Sequence, residues 1–370
     1  MNRAEVLVVF WALCFGAEEG RSAPSCLDER GRSVDWIIVY KFPPIKFYNL
    51  RYGESYAYIS SNEQTGKWVL SKQNISSNNS IISKILNPVI KKKQDIAYLV
   101  YNDAVPNEKH YNYKFGHAKG VLAFDNDSGY WMIHSIPKFP QEGYYNFPRG
   151  SKEHGQIFIC VNFNIIAINQ IGEQLRYMKP QIYMNHSTSA VLKLSPLVQT
   201  LFTSNPSFIN RVPWMRNVTL SSKLGAKFIS FSKQAKFLKD LYSDFVAPIL
   251  KSSLYTETWM DGSGTPLPSN CSTSYSVWNI KKIKISFYKP EKIKYLIFYS
   301  SRDHSKWAIT NKMLNPWVCI GDINRMKSQE KRGGGTLCLY SERVWKVFDS
   351  TISEFEACNF DSPPFEDAVM

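Results

Sequence analysis

The chain has 370 residues, with 45 Lys+Arg against 31 Asp+Glu and a formal net charge of +14. Hydrophobic residues make up 44% and charged residues 21%, enough apolar material for a large core and too little charge for a disordered polyelectrolyte. The most apolar run, Val6 to Phe15, has only ten residues, too few to cross a bilayer as a helix.

Arg3 precedes that run and a small-residue stretch, Gly16 to Ala23, follows it, the layout of a secretory signal peptide over residues 1–22. Its removal leaves 43 basic and 28 acidic side chains, a net charge of +15. Ser33 to Phe42 reads as a buried strand stopped by Pro43-Pro44, and Tyr56 to Ser60 as a second. Ile81 to Ile90 has apolar residues at helical spacing despite Pro88. Ile96 to Tyr101 is a strand, and His117 to Asp125 with Tyr130 to Ile136 forms a hairpin around Asn-Asp-Ser-Gly. Ile157 to Phe163 is another strand, followed by helical segments at Ile165 to Met178 and around Ala190 to Phe202. Gln234 to Leu250 is expected as an amphipathic helix and Thr258 to Ser274 as a loop. Strands follow near Ser276 to Phe287, Tyr295 to Tyr299, His304 to Thr310 and Trp317 to Ile323, with a closing helix over about Glu342 to Phe355. This alternation predicts an α+β (mixed α/β) fold, with mixed sheets covered by helices.

Without Cys14, six cysteines remain: Cys26, Cys160, Cys271, Cys319, Cys338 and Cys358. In an exported chain an even set implies three disulfides, though fifteen connectivities are open. Sequons occur at Asn74, Asn78, Asn126, Asn185, Asn217 and Asn270, which together with the leader point to a glycoprotein of the secretory route. There is no C-x-x-C, H-E-x-x-H or clustered His/Cys pattern, so no metal and no cofactor is expected. Gly333-Gly334-Gly335 suits either a phosphate cradle or a tight loop held by a nearby disulfide.

Two of the six histidines head one pattern, His117-Ala118-Lys119 and His304-Ser305-Lys306, 187 residues apart, about half the mature chain. In a strand, i and i+2 share a face, so each copy sets an imidazole beside an ammonium. An internal duplication packed about a pseudo-twofold axis brings both pairs to one spot. That combination suits phosphodiester cleavage without a metal: Lys119 and Lys306 stabilise the non-bridging oxygens, one neutral histidine attacks phosphorus, and the other, protonated, serves the leaving group. His117 is the expected nucleophile and His304 the expected general acid. A histidine in each protonation state suits mildly acidic conditions.

GHAKGVLAFD, WMIHSIPKFP, RDHSKWAI and CIGDIN with RGGGTLC, together with VDWIIVYK and NEQTG, resemble deoxyribonuclease II, the acid endonuclease family related to the phospholipase D superfamily. The likeness covers nearly the whole chain. It implies a phospholipase D-like pseudodimer, residues 23–185 forming the first half and 186–370 the second, that hydrolyses DNA to 3'-phosphate ends without metal. His117, Lys119, His304 and Lys306 would be its catalytic core, with His134 in support. The superfamily pattern H-x-K-x4-D/N is met by Asn311, whereas Phe124 stands at that position in the first half, with Asp125 one residue late and given no role. The resemblance also implies the pairs Cys26 with Cys160, Cys271 with Cys358, and Cys319 with Cys338. The expected partner is DNA, with no membrane span, in lysosomes or outside the cell, as a pseudodimeric monomer or a homodimer.

A catalytically silent DNA-binding or interaction protein on the same fold is the alternative, and phospholipid hydrolysis by the same chemistry is a third reading. The basic balance fits a polyanion, but Lys91-Lys92-Lys93 and Lys281-Lys282-Ile283-Lys284 read as solvated faces. Tyr144, Tyr145, Trp214 and Trp259 have the rings to stack on bases, yet none is assigned to a site. His110, His154 and His186 lack a partner pattern and are taken as structural.

Overall fold

The computed structural model describes residues 23–46, 50, 52–109, 111–262, 264–288 and 294–358. The leader at 1–22 and His110 lie outside the described residues. The first sheet holds eight strands: β1 (Trp36–Lys41), β2 (Tyr56–Ser60), β3 (Val69–Leu70), β4 (Ala97–Asn102), β5 (Lys119–Phe124), β6 (Ser128–His134), β7 (Gln156–Asn164) and β8 (Ile182–His186). Their order is β3-β2-β1-β7-β6-β5-β4-β8. The second is built from β9 (Met215–Ser221), β10 (Lys227–Lys233), β11 (Leu254–Glu257), β12 (Val277–Ser286), β13 (Tyr295–Tyr299), β14 (Trp307–Thr310), β15 (Trp317–Gly321), β16 (Gly334–Tyr340) and β17 (Ile352–Phe355). Its path is β13-β12-β11-β14-β15-β16-β10-β9, with β17 on β12.

The strand run β1-β7-β6-β5-β4 of one sheet has the same order as β10-β16-β15-β14-β11 of the other. Aligning the two H-x-K copies makes the registers agree along that run: Gly120 faces Ile133 as Trp307 faces Ile320, and Ile133 faces Ile159 as Ile320 faces Leu337. Continuing outward, Lys41 faces Gln156 as Lys233 faces Gly334.

Alternation along the strands sorts the core into layers. Trp36, Ile38 and Tyr40 of β1 join Ile280, Ile283, Trp307 and Ile320 in one core shared by both sheets, together with Ile168, Ile171 and Leu175 of helix α2 (Ile165–Met178). Ile37 and Val39 face the other way, onto helix α1 (Ile81–Ile90). Fully burying one such aliphatic side chain contributes about 1.5–3 kcal/mol, so the shared core ties the sheets firmly together. The disulfides are Cys26–Cys160, Cys271–Cys358 and Cys319–Cys338. The side chains of Asn74, Asn78, Asn126, Asn185 and Asn217 are exposed and that of Asn270 is half-buried.

Several expected elements differ. The helix over Gln234 to Leu250 is broken: Leu238 takes a left-handed conformation (φ 58°), and only Tyr242–Val246 and Ala247–Leu250 are helical beyond the turn Ala235–Phe237. The Asp240 carboxylate caps the restart by accepting from Ser243 N at 2.8 Å. The segment Ala190 to Phe202 is three short turns rather than one helix. The closing helix stops at Asp349, and Ile352–Phe355 leaves it to pair with β12. The glycine run is not a loop around an anion. Gly334 opens β16, and a Cβ on Gly335 would lie 2.2 Å from Phe231 O, so the close approach of β10 requires glycine there.

Candidate active site

Each H-x-K stands where the chain enters a central strand, β5 in the first sheet and β14 in the second. Backbone groups cross between the halves to fix the histidines: His117 N donates to Gly333 O at 2.8 Å, and His304 N donates to Gly155 O at 2.9 Å. The two copies therefore meet, and His117, Lys119, His304 and Lys306 line one cleft of about 540 Å³. The cleft is also bounded by Asp103, Trp259, Asn324, Arg332, Tyr111 and Tyr113.

The surroundings of the two histidines differ. Beside His117 the Asp103 carboxylate is buried, pairs with Lys119 and receives Arg332 Nη1 at 3.1 Å, with His117 Nε2 at 3.8 Å. Burial alone would raise Asp103, but Lys119, His117 and Arg332 together hold it well below the usual carboxylate range. The His117 ring is fixed from its other side, where Nδ1 donates to Asp322 O at 2.6 Å, leaving Nε2 as the basic nitrogen of the neutral ring. Burial, then Lys119, push its pKa well below the ordinary value, with Asp103 opposing.

His304 instead lies against rings. His154 stacks on it at 3.9 Å between centroids and 12° between planes, and Trp259 packs at 4.1 Å. By the strand registers, His154 and Trp259 occupy the places that Arg332 and Asp103 hold in the other half. Burial lowers the pKa of His304, as do Lys306 and His154. Its approach is anchored by Asp303, which accepts from Tyr40 Oη and, at 2.7 Å, from Ser305 Oγ.

Lys306 donates to His304 O, and burial followed by repulsion from Lys119 lowers its pKa to about 7. Burial raises Asp322 to about 7 although Lys119 opposes it. One Asp322 carboxylate oxygen accepts from Lys119 N at 3.3 Å, and the other has no partner among the described residues. Both groups make the cleft more cationic as pH falls through neutrality.

The remaining candidates are placed differently. His134 ends β6 fully buried between Phe139 and Phe158, and Nδ1 accepts from Ile136 N at 3.2 Å. Burial and then Lys119 lower it to about 3, so it packs behind the cleft rather than lining it. Asn311 lies past the far end of β14, where its side chain accepts from Ser252 Oγ at 3.2 Å. The structure does not bring it to the four central residues. His154, expected to be structural, stacks its ring on His304, a contact that no sequence spacing announces. Asp103, Arg332, Asp322 and Asn324 were also unassigned, although GDIN and RGGG hold three of them. Trp259 is the one of the four weighed aromatics that borders the cleft.

Among the described residues no group of three or more His, Cys, Asp or Glu is arranged to hold a metal ion, and no helix is long and apolar enough to cross a membrane. What the cleft offers is two imidazoles, two ammonium groups and a guanidinium, which suits an anionic phosphodiester.

Comparison with known proteins agrees with that chemistry. The family model for deoxyribonuclease II matches residues 25–358. Plancitoxin-1 of Acanthaster planci is 37% identical over 364 residues, 95% of this chain and 96% of its own. Deoxyribonuclease-2-beta of Homo sapiens is 35% identical over 350 residues (92% and 93%), and deoxyribonuclease-2-alpha of Sus scrofa is 34% identical over 348 (92% of each). With the match spanning both sheets and both H-x-K copies, the chain belongs to the deoxyribonuclease II family.

Proposed function

We propose that this protein is an acid endodeoxyribonuclease that hydrolyses DNA to 3'-phosphate products without a metal ion, through a phosphohistidine. The observation that carries the reading is the convergence of His117-Lys119 and His304-Lys306 from two similarly ordered sheets on one cleft. The halves are taken as residues 23–185 and 186–370.

A phosphodiester seated between Lys119 and Lys306 has its non-bridging oxygens opposed by both cations and by Arg332. Burial and then nearby cations depress the imidazoles, and the phosphodiester's negative charge counters the cations, so acidic medium supplies a proton to His304. His117, its Nδ1–H engaged by the Asp322 carbonyl, attacks phosphorus through Nε2. The N–P bond forms, the P–O5' bond breaks, and His304 passes its proton to the departing 5'-oxygen. Water then attacks phosphorus and gives a proton to His304. The N–P bond breaks and the 3'-phosphate leaves. His134 supports the site from behind, and Asn311 serves the strand β14 that follows Lys306. Tyr111 and Tyr113, 46% and 73% exposed at the cleft edge, suit stacking on bases. Three disulfides fit an oxidising compartment, and the assignment is to lysosomes or the extracellular space.

The test is plasmid cleavage in EDTA from pH 4 to 8 by wild type, His117→Ala and His304→Ala, with the product ends labelled. Cleavage at acidic pH leaving 3'-phosphates, and lost in both variants, is expected. A folded wild type that binds DNA without cutting it would replace this reading with that of a silent DNA-binding protein.

A further inference from the structure

Lys41 ends β1 and Lys233 ends β10, the equivalent strands of the two sheets, and both side chains are fully buried. Each ammonium lies against three backbone carbonyls of one loop. Lys41 Nζ donates to Ser151 O at 2.7 Å, Lys152 O at 3.0 Å and His154 O. Lys233 Nζ donates to Gln329 O at 2.9 Å, Glu330 O at 3.0 Å and Arg332 O at 2.6 Å. The last carbonyl in each set belongs to a residue whose side chain reaches the cleft groups, His154 stacking on His304 and Arg332 pairing with the Asp103 that holds Lys119. The next residue in each loop, Gly155 or Gly333, accepts the backbone N–H of His304 or His117.

An ammonium has three N–H donors and no acceptor, so it satisfies three carbonyls fully. A neutral amine has two donors and would turn a lone pair toward the third carbonyl, an unfavourable contact in a buried site. We infer that Lys41 and Lys233 are a matched pair of positioning residues, whose ammonium charges hold the loops 149–155 and 327–333 against the catalytic histidines and whose deprotonation releases those loops and limits activity at alkaline pH. The part concerning activity rests on the proposed roles of His117 and His304.

The charge is held in the relevant range. Burial lowers Lys41 to about 7, with Asp303, Glu153 and Glu54 opposing the loss and Lys152 favouring it. Burial lowers Lys233 to about 8, with Asp240 and Glu330 opposing and Arg332 favouring. Both are therefore ammonium below neutrality, and Lys41 is the first to lose its proton as pH rises.

The first test uses the wild type. Amide hydrogen exchange, corrected for its intrinsic pH dependence, is expected to show 149–155 and 327–333 losing protection between pH 6 and 9 while β5 and β14 keep theirs. Unchanged protection in both loops overturns the inference, and this readout is independent of DNA cleavage, so it separates from any failure of the nuclease reading. The second test is kinetic. Lys41→Met is expected to lower kcat at pH 5 by about tenfold or more with KM within about twofold, a loss expected of misplaced catalytic groups. Combined with His154→Ala it should lose less than the product of the two single losses. Lys41→Arg, charged at every pH used, should retain a larger fraction of its pH 5 rate at pH 8 than the wild type does. A folded Lys41→Met with wild-type kcat, or a Lys41→Arg with the wild-type alkaline limb, overturns the inference.

Discussion

Asp103→Asn isolates the ion cluster beside His117. The carboxylate is fully buried and takes Lys119, Arg332 and, at longer range, His117. Removing one partner of a buried charge cluster costs about 3–5 kcal/mol. Asn keeps the shape and one acceptor oxygen, which places this variant near the lower end, about 3 kcal/mol. Unfolding entropy of about 2.1 cal/mol/K per residue gives roughly 0.7 kcal/mol/K for a chain of this size, so Tm should fall by about 4 °C. Because the folded carboxyl has its pKa held below the unfolded value of 3.8, its stabilisation is fully present above about pH 5 and is lost as pH falls through the folded value. Calorimetry of both proteins should therefore give a steady deficit from pH 5 to 7 that shrinks below pH 4. In parallel, kcat at pH 5 should fall at least about tenfold, since Arg332 and Lys119 lose their shared anchor. A Tm within about 1 °C of wild type at pH 6, or a deficit unchanged down to pH 3, would refute the reasoning.

Three further outcomes follow from the geometry. Gly155→Ala places a Cβ 2.3 Å from Asp303 Oδ1, so the link from Gly155 O to His304 N must shift; a loss of about 1–3 kcal/mol with a larger drop in kcat than in affinity is expected from melting curves and steady-state rates. As pH rises through about 7, Asp322 gains a negative charge and Lys306 loses its positive one, so KM for DNA should climb; Asp322→Asn removes one of these two changes and should flatten the climb, which a KM series from pH 5 to 8 decides. Asn311→Ala should leave kcat within about threefold and cost about 1 kcal/mol, the typical value of its hydrogen bond with Ser252; a hundredfold loss of kcat in a folded variant would return Asn311 to the chemistry.

The cleft was legible in the sequence only where its chemistry rests on a local pattern. An imidazole and an ammonium two residues apart ahead of a strand are visible as H-x-K, and their repetition half a chain later suggested the meeting of two halves. Trp259, His154 and Arg332 instead reach the site through pairing between segments far apart in sequence, and Asp103 reaches it by following β4, the strand paired with β5, and no short spacing carries either arrangement. The elements behaved alike. β1 was readable because it is a continuous β-branched and aromatic run buried on both faces and stopped by Pro43-Pro44, and α1 because burial on one side imposes a helical period. Near the start of β16, Gly335 is required by the closeness of β10, a reason invisible until the neighbour is placed. β17 looked like more helix because the apolar spacing of Val344, Val347 and Phe348 runs on into Ile352, where pairing with β12 takes over.

The two-histidine account is tested most directly by trapping its intermediate. A 5'-labelled oligonucleotide is mixed with enzyme at pH 5 in EDTA, quenched rapidly in alkali, and the protein is digested and mapped by mass spectrometry. Wild type should carry a transient label on the peptide containing His117 through an acid-labile, alkali-stable N–P bond. His304→Ala should accumulate that adduct when an oligonucleotide with a good leaving group is used, and His117→Ala should form none. Label on any other residue, or turnover without an alkali-stable adduct in any of the three proteins, would contradict the account.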